Sequence, residues 1–158
     1  MRAVFNSSPI IILGKLGYLA NSIALFGEVY VPEGVLLEVT AKEDEVSVLL
    51  RELTERNLIS VMEIEKIAEL EYPGLHRGEL EAIALAKRLD AMVVLDDLKA
   101  RKAARLEGLR VIGTLGILRI LNEAGMLKES PQELLEILTR VGFRIRPELF
   151  YKVMGEEE

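Results

Sequence analysis

Short apolar runs alternate along this chain with longer stretches in which apolar side chains recur every three or four positions. Ala3–Phe5, Glu28–Val31, Ile59–Ile64, Ala91–Leu95 and Leu109–Ile112 read as strands. Between them the period becomes that of a helix. Ser8 caps a helix that opens at Pro9, where the missing N–H costs nothing. A second short helix, about Tyr18 to Phe26, stops at Gly27, and Pro32 opens the helix that carries Glu38. Glu45 to Arg56 is amphipathic, with Val46, Leu49, Leu50 and Leu53 on one face. Tyr72-Pro73-Gly74 breaks the segment Lys66–Arg77. Helices then follow over Glu79–Leu89, over the basic stretch Leu98–Glu107 up to Gly108, and over Leu115–Ala124 after the turn Gly113-Thr114. In the tail, Ser130-Pro131-Gln132-Glu133 is a capping-box signature, and Pro147 begins a last helix that frays into Gly155 and three glutamates.

Helices alternating with short apolar strands predict an α/β fold with a parallel sheet covered on both faces. Such sheets bind ligands outside the carboxyl ends of their strands. Asn6 and Asp97 fall at those ends, and Glu38 and Glu79 lie on helices placed to line the same crevice. Gathering three carboxylates and an amide in one pocket sets like charges against each other. The usual reason to do so is a hard divalent cation with oxygen ligands.

Composition narrows the function further. Half of the 158 residues are hydrophobic, enough for one domain over 1–158 with a proper core, the helices of 131–155 packed on it or extending it. A net charge of −6 rules out a strongly basic nucleic-acid-binding surface, leaving local basic patches. With no cysteine, disulfides, thiolate metal sites and a cysteine nucleophile are excluded. The apolar start is broken by Pro9, Gly14 and Lys15, too short for a membrane span, so a cytoplasmic protein without a membrane partner is expected. Abundant Glu, Lys and Arg lean toward a thermophilic source.

The ordered set VFNSSPIIIL, LLEV, ELEAIALA and VVLDD resembles the PIN-domain nucleases, the group that includes VapC-type toxins of toxin–antitoxin pairs. The segments VPEGVLLEV, GELEAIALAKRL, LDDLKARKAA and RVIGTLGILRILNEAGML look most like a poorly characterised archaeal and bacterial branch of it. The resemblance runs from Arg2 to about Tyr151. It implies a three-layer α/β/α sandwich with a central, mainly parallel sheet, and a metal-dependent endoribonuclease that hydrolyses RNA phosphodiester bonds. Carried over position by position, Asn6, Glu38, Glu79 and Asp97 form the catalytic set, the last three holding Mg2+ or Mn2+. Asn6 stands where active members usually carry Asp, and Glu79 where Asp is commoner. The resemblance also implies an RNA substrate, a possible antitoxin protein and a homodimer.

Around the acids, Ser7, Lys15, Lys99, Arg101 and Lys102 are candidates for contact with RNA, and Ser8, Glu81, Asp96 and Thr114 are secondary site candidates. Each has a plainer reading. Ser7 and Ser8 serve as helix caps, Glu79 and Asp97 complement helix dipoles, and Lys99 to Arg105 is a solvated face. Asp96 reads as a bystander beside Asp97. Because Asn6 replaces an anionic ligand with a neutral one, a PIN-fold RNA- or protein-binding module without catalysis stands as the alternative. A phosphoacceptor receiver domain ranks low, since Gly113-Thr114 follows the later strand without the Lys that class needs.

Overall fold

The computed structural model describes residues 1–64 and 72–155. Of the segment Lys66–Arg77, residues 66–71 lie outside the described residues, as do the last three glutamates into which the final helix is expected to fray. Five strands form one sheet: β1 (Arg2–Phe5), β2 (Glu28–Pro32), β3 (Ser60–Met62), β4 (Met92–Val94) and β5 (Val111–Ile112). Their spatial order is β3-β2-β1-β4-β5 and every pairing is parallel, Val4 standing between Tyr30 and Val93. The helices are α1 (Ser7–Leu16), α2 (Leu19–Ile23), α3 (Glu33–Thr40), α4 (Glu45–Glu55), α5 (Arg77–Leu89), α6 (Leu98–Leu106), α7 (Thr114–Glu123), α8 (Pro131–Arg140) and α9 (Pro147–Val153).

Strand periodicity of two sends neighbouring side chains to opposite faces, and here both faces are covered. Ala3, Phe5, Val29, Val31 and Val94 join one core with α1, α4, α7, α8 and α9. Val4, Val93 and Leu95 join the other with Ala82, Ile83, Leu85 and Ala86 of α5 and Ala100, Ala103 and Ala104 of α6. That double burial is why the strands read as apolar runs. Leu134, Leu138 and Phe150 are fully buried, so the tail helices complete the first core.

Several elements differ in extent from the sequence reading. α2 and β3 are shorter than expected. Ser8 is not the cap of α1: the helix begins two residues earlier than expected, at Ser7, with Asn6 at the cap position and no side-chain cap bond. Pro9 is tolerated in the first turn because N–H groups there have no intrahelical partner anyway. The expected capping box at Ser130 and Glu133 forms, Ser130 Oγ accepting from the Glu133 N–H at 3.2 Å. No helix of the described residues is long and apolar enough to cross a membrane.

β1 is central. The chain leaves it toward β2 on one side and returns to β4 on the other. The loops after β1 and β4 therefore diverge and leave a crevice at the carboxyl ends of these strands.

Candidate active site

Asn6 opens this crevice. Its backbone N–H donates to Val94 O at 3.1 Å, locking the end of β1 to β4. The next two residues divide between the flanks. Ser7 Oγ donates to Glu38 Oε1 at 2.8 Å, and Ser8 Oγ donates to Asp96 Oδ2 at 3.0 Å. Consecutive hydroxyls at the start of α1 thus tie an acid of α3 and an acid of the β4–α6 loop to one helix end. Asp96 also accepts from the Thr114 N–H and Thr114 Oγ1, each at 2.7 Å. It is no bystander; it joins α1, the end of β4 and the start of α7.

On the α3 side lies a pocket of about 400 Å³ between α3 and α5, lined by Glu33, Gly34, Glu38, Glu63, Arg77 and Glu81 among others. Gly78 forms part of its wall. A methyl group there would stand 3.4 Å from Glu38 Oε1 and 3.7 Å from Asn6 Oδ1, which places Asn6 and Glu38 beside each other. The Glu81 side chain is nine-tenths buried, and its closest cation is Arg77 Nε at 3.9 Å. Among the described residues it receives no hydrogen bond. Burial pushes its carboxyl pKa above the ordinary glutamate range and Glu33 adds to the rise, while Arg77 opposes it.

The two remaining members of the expected metal set each cap a helix. Glu79 Oε1 accepts from the His76 N–H at 2.9 Å, completing a capping box for α5. Asp97 Oδ2 accepts from the Ala100 N–H at 3.0 Å and caps α6. One oxygen of each is thus taken by a helix start, and the other accepts no hydrogen bond among the described residues. Among the described residues, no three Asp, Glu or His side chains are gathered closely enough to hold one ion. The physical reason is competition: unpaired N–H groups at a helix start take the nearest carboxylate.

The basic candidates also separate. Lys15 sits in the last turn of α1, the end opposite Asn6 and about 13 Å along the helix from it. Lys99 and Lys102 are exposed on α6. Arg101 turns inward: Nη1 donates to Leu95 O at 3.1 Å, and a methyl group on Gly113 would overlap the guanidinium and meet Asp96 Oδ1 at 3.1 Å. Desolvation lowers the Arg101 pKa, helped by repulsion from Arg105 and opposed by Asp96. Arg101 therefore holds the end of β4, and Arg77, overlooked in the sequence, is the cation at the pocket among the described residues.

The residues present fit a hard cation. A largely buried carboxylate that accepts no hydrogen bond among the described residues lines the same pocket as Glu38, and Mg2+ is commonly held by one or two carboxylates with water and substrate phosphate completing its shell.

A family model described as PIN domain (DUF3368) matches residues 2–157. Among solved structures, the fold is similar to a PilT N-terminus domain protein of the hyperthermophilic archaeon Sulfolobus solfataricus P2. That match has a TM-score of 0.51 and 18% identity, over 82% of this chain and 97% of that one. A domain of a functionally unknown protein from Methanocaldococcus jannaschii aligns at TM-score 0.47 and 16% identity, over 71% and 89% of the two chains. No curated protein matches the sequence.

Proposed function

The chain belongs to the PIN-domain family, and from that premise we propose that it is a metal-dependent endoribonuclease whose ion is held by Glu38 and Glu81. PIN domains are typically nucleases. The observation that supports this assignment is the Glu81 carboxylate, largely buried, without a hydrogen-bond donor among the described residues and lining the same α3–α5 pocket as Glu38. A cation offsets the cost of that burial. When bound, Mg2+ or Mn2+ lowers the pKa of a coordinated water and polarises the phosphodiester.

The protein's own groups do the rest. Ser7 fixes the orientation of Glu38 through its hydroxyl. Asn6, next to Glu38, presents an amide that donates to a phosphate oxygen or to the attacking water. Arg77, largely exposed beside Glu81, binds the sugar–phosphate backbone of single-stranded or structured RNA. Asp96 keeps α1 and the β5–α7 turn in place around the site. As the family resemblance implies, the chain acts as the toxin of a toxin–antitoxin pair, restrained by an antitoxin protein and assembled as a homodimer.

One feature favours a second reading, a binding module without catalysis: the residue at the end of β1 is a neutral Asn6. The two separate in one experiment. Purified wild type, Glu38→Gln, Glu81→Gln and Asn6→Asp are incubated with a mixed RNA panel and Mg2+ or Mn2+. The nuclease reading expects metal-dependent cleavage by wild type, reduced about 100-fold or more in both Gln variants. An inert wild type with a cleaving Asn6→Asp variant establishes the module instead. If both are inert and millimolar metal leaves the melting temperature unchanged, the cation site itself is refuted.

A further inference from the structure

A second opening, about 820 Å³, lies on the other side of Asp96, along the free edge of the sheet. Its walls come from β5, the start of α6, α7, and the stretch Phe143–Arg146 that leads into α9. β5 is the outer strand, and the carbonyls of Arg110 and Ile112 turn inward to accept from Val93 N and Leu95 N, each at 3.0 Å. Alternation along a strand then leaves the carbonyl of Val111, between them, facing the opening. Because β5 spans only Val111–Ile112, this edge offers an added segment little more than one main-chain acceptor, and the surrounding side chains must supply most of the grip.

The side chains around it define what would fit. Leu98 is 81% exposed and Leu149 48%, and together they give the opening an apolar rim. Phe143 and Ile145 are half-buried in the wall, while Arg144 and Arg146 between and after them are exposed. Among the described residues neither arginine forms an ion pair. Two unpaired guanidiniums on a chain of net charge −6 call for carboxylates or phosphates, which Arg grips bidentately. The walls decide between them. Phe143 is the one aromatic among the lining residues and the others are mostly aliphatic, which offers little for bases to stack on.

We propose that this edge groove docks an extended segment of a partner protein, one that alternates apolar and acidic residues. The segment pairs with the outer side of β5, sets its apolar side chains against Leu98, Phe143 and Leu149, and gives its carboxylates to Arg144 and Arg146. This docking is independent of whether the α3–α5 pocket cleaves RNA.

The test selects a random 12-residue display library on the full chain, then measures the most enriched peptide, synthesised with a fluorophore, by anisotropy. The expected sequence alternates apolar residues with Asp or Glu. Its affinity falls about tenfold or more for Arg144→Glu/Arg146→Glu and for Leu98→Ser, while the melting curves of these surface variants match wild type. No enrichment, enrichment of basic peptides, or affinity indifferent to both variants overturns the proposal. A single-stranded oligoribonucleotide whose binding drops with the arginine variant assigns the groove to RNA instead. A dimer in sedimentation that Leu98→Ser dissociates assigns it to a second copy of the chain.

Discussion

Replacing Gly34 by Ala tests the assignment of Glu81 without removing a charge. Gly34 is the second residue of α3, and a methyl group there would overlap Glu81 Oε1 and stand 3.1 Å from Oε2 and 3.2 Å from Cδ. Ordinary contact requires the carboxylate to withdraw by about 1 Å. The helix itself gains up to about 1 kcal/mol from the substitution, and the obstructing atom ends a flexible side chain, so the fold survives. A 1 Å misplacement is enough to cost about 100-fold in rate, and a similar loss is expected in ion affinity. At a metal concentration 100 times the wild-type Kd, binding stabilises the protein by about 2.7 kcal/mol, and a 100-fold weaker site leaves about 0.4 kcal/mol. At about 2–4 °C per kcal/mol for a chain of this size, the metal-induced rise in Tm shrinks from roughly 5–10 °C to 1–2 °C. Differential scanning fluorimetry with and without Mn2+ reads this, alongside RNA cleavage. Gly78→Ala is the control, because its methyl group would make ordinary contacts of 3.4 Å to Glu38 Oε1 and 3.7 Å to Asn6 Oδ1. If Gly34→Ala keeps the wild-type metal shift and cleavage rate, Glu81 is not a ligand.

Titration gives a second check. The native pKa of Glu81 is raised, so without metal the folded state holds its proton to higher pH than the unfolded chain. Stability from this group is present below the ordinary glutamate value and lost as pH rises through the native one. Glu81→Gln should remove that decline in Tm-against-pH scans, and an unchanged slope would contradict the burial argument. At the β4–α6 loop, Asp97→Ser supplies an equally good helix cap and should preserve folding and cleavage, whereas Asp96→Ala leaves Thr114 N–H without its acceptor and should cost about 1–3 kcal/mol by denaturant unfolding. Equal stability losses would refute that division of labour. Finally, Ser47 Oγ is buried without a hydrogen-bond partner among the described residues, while the Ser47 backbone N–H donates to the capping Asp44 Oδ1 at 2.9 Å. Ser47→Ala should therefore stabilise by about 1 kcal/mol, and a lower Tm would show that the hydroxyl has a use.

The strands and most helices were legible because both sheet faces are buried, which writes each strand as an apolar run between punctuating Gly, Pro and cap residues. The acids were harder because two of them sit beside near-equivalents. Glu79 and Glu81 both lie near the apolar stripe of α5 formed by Ala82, Ile83, Leu85 and Ala86, so periodicity does not choose between them. Side-chain direction does. Helical side chains lean toward the N-terminus, and from the third position Glu79 reaches back to the His76 N–H, whereas Glu81 has passed the first turn and extends across to Gly34 of α3. The Asp96-Asp97 pair follows the same rule. Asp97 occupies the cap position and is taken by Ala100 N–H, which leaves its predecessor to bind Thr114 and Ser8. In both pairs the helix start claims one carboxylate and the neighbour is left to face the crevice. A cap signature therefore bears directly on the search for ligands: an acid whose spacing explains it fully as a cap is a weaker candidate than the acid beside it. His76 concealed this at α5, because a histidine is not among the residues that announce a capping box.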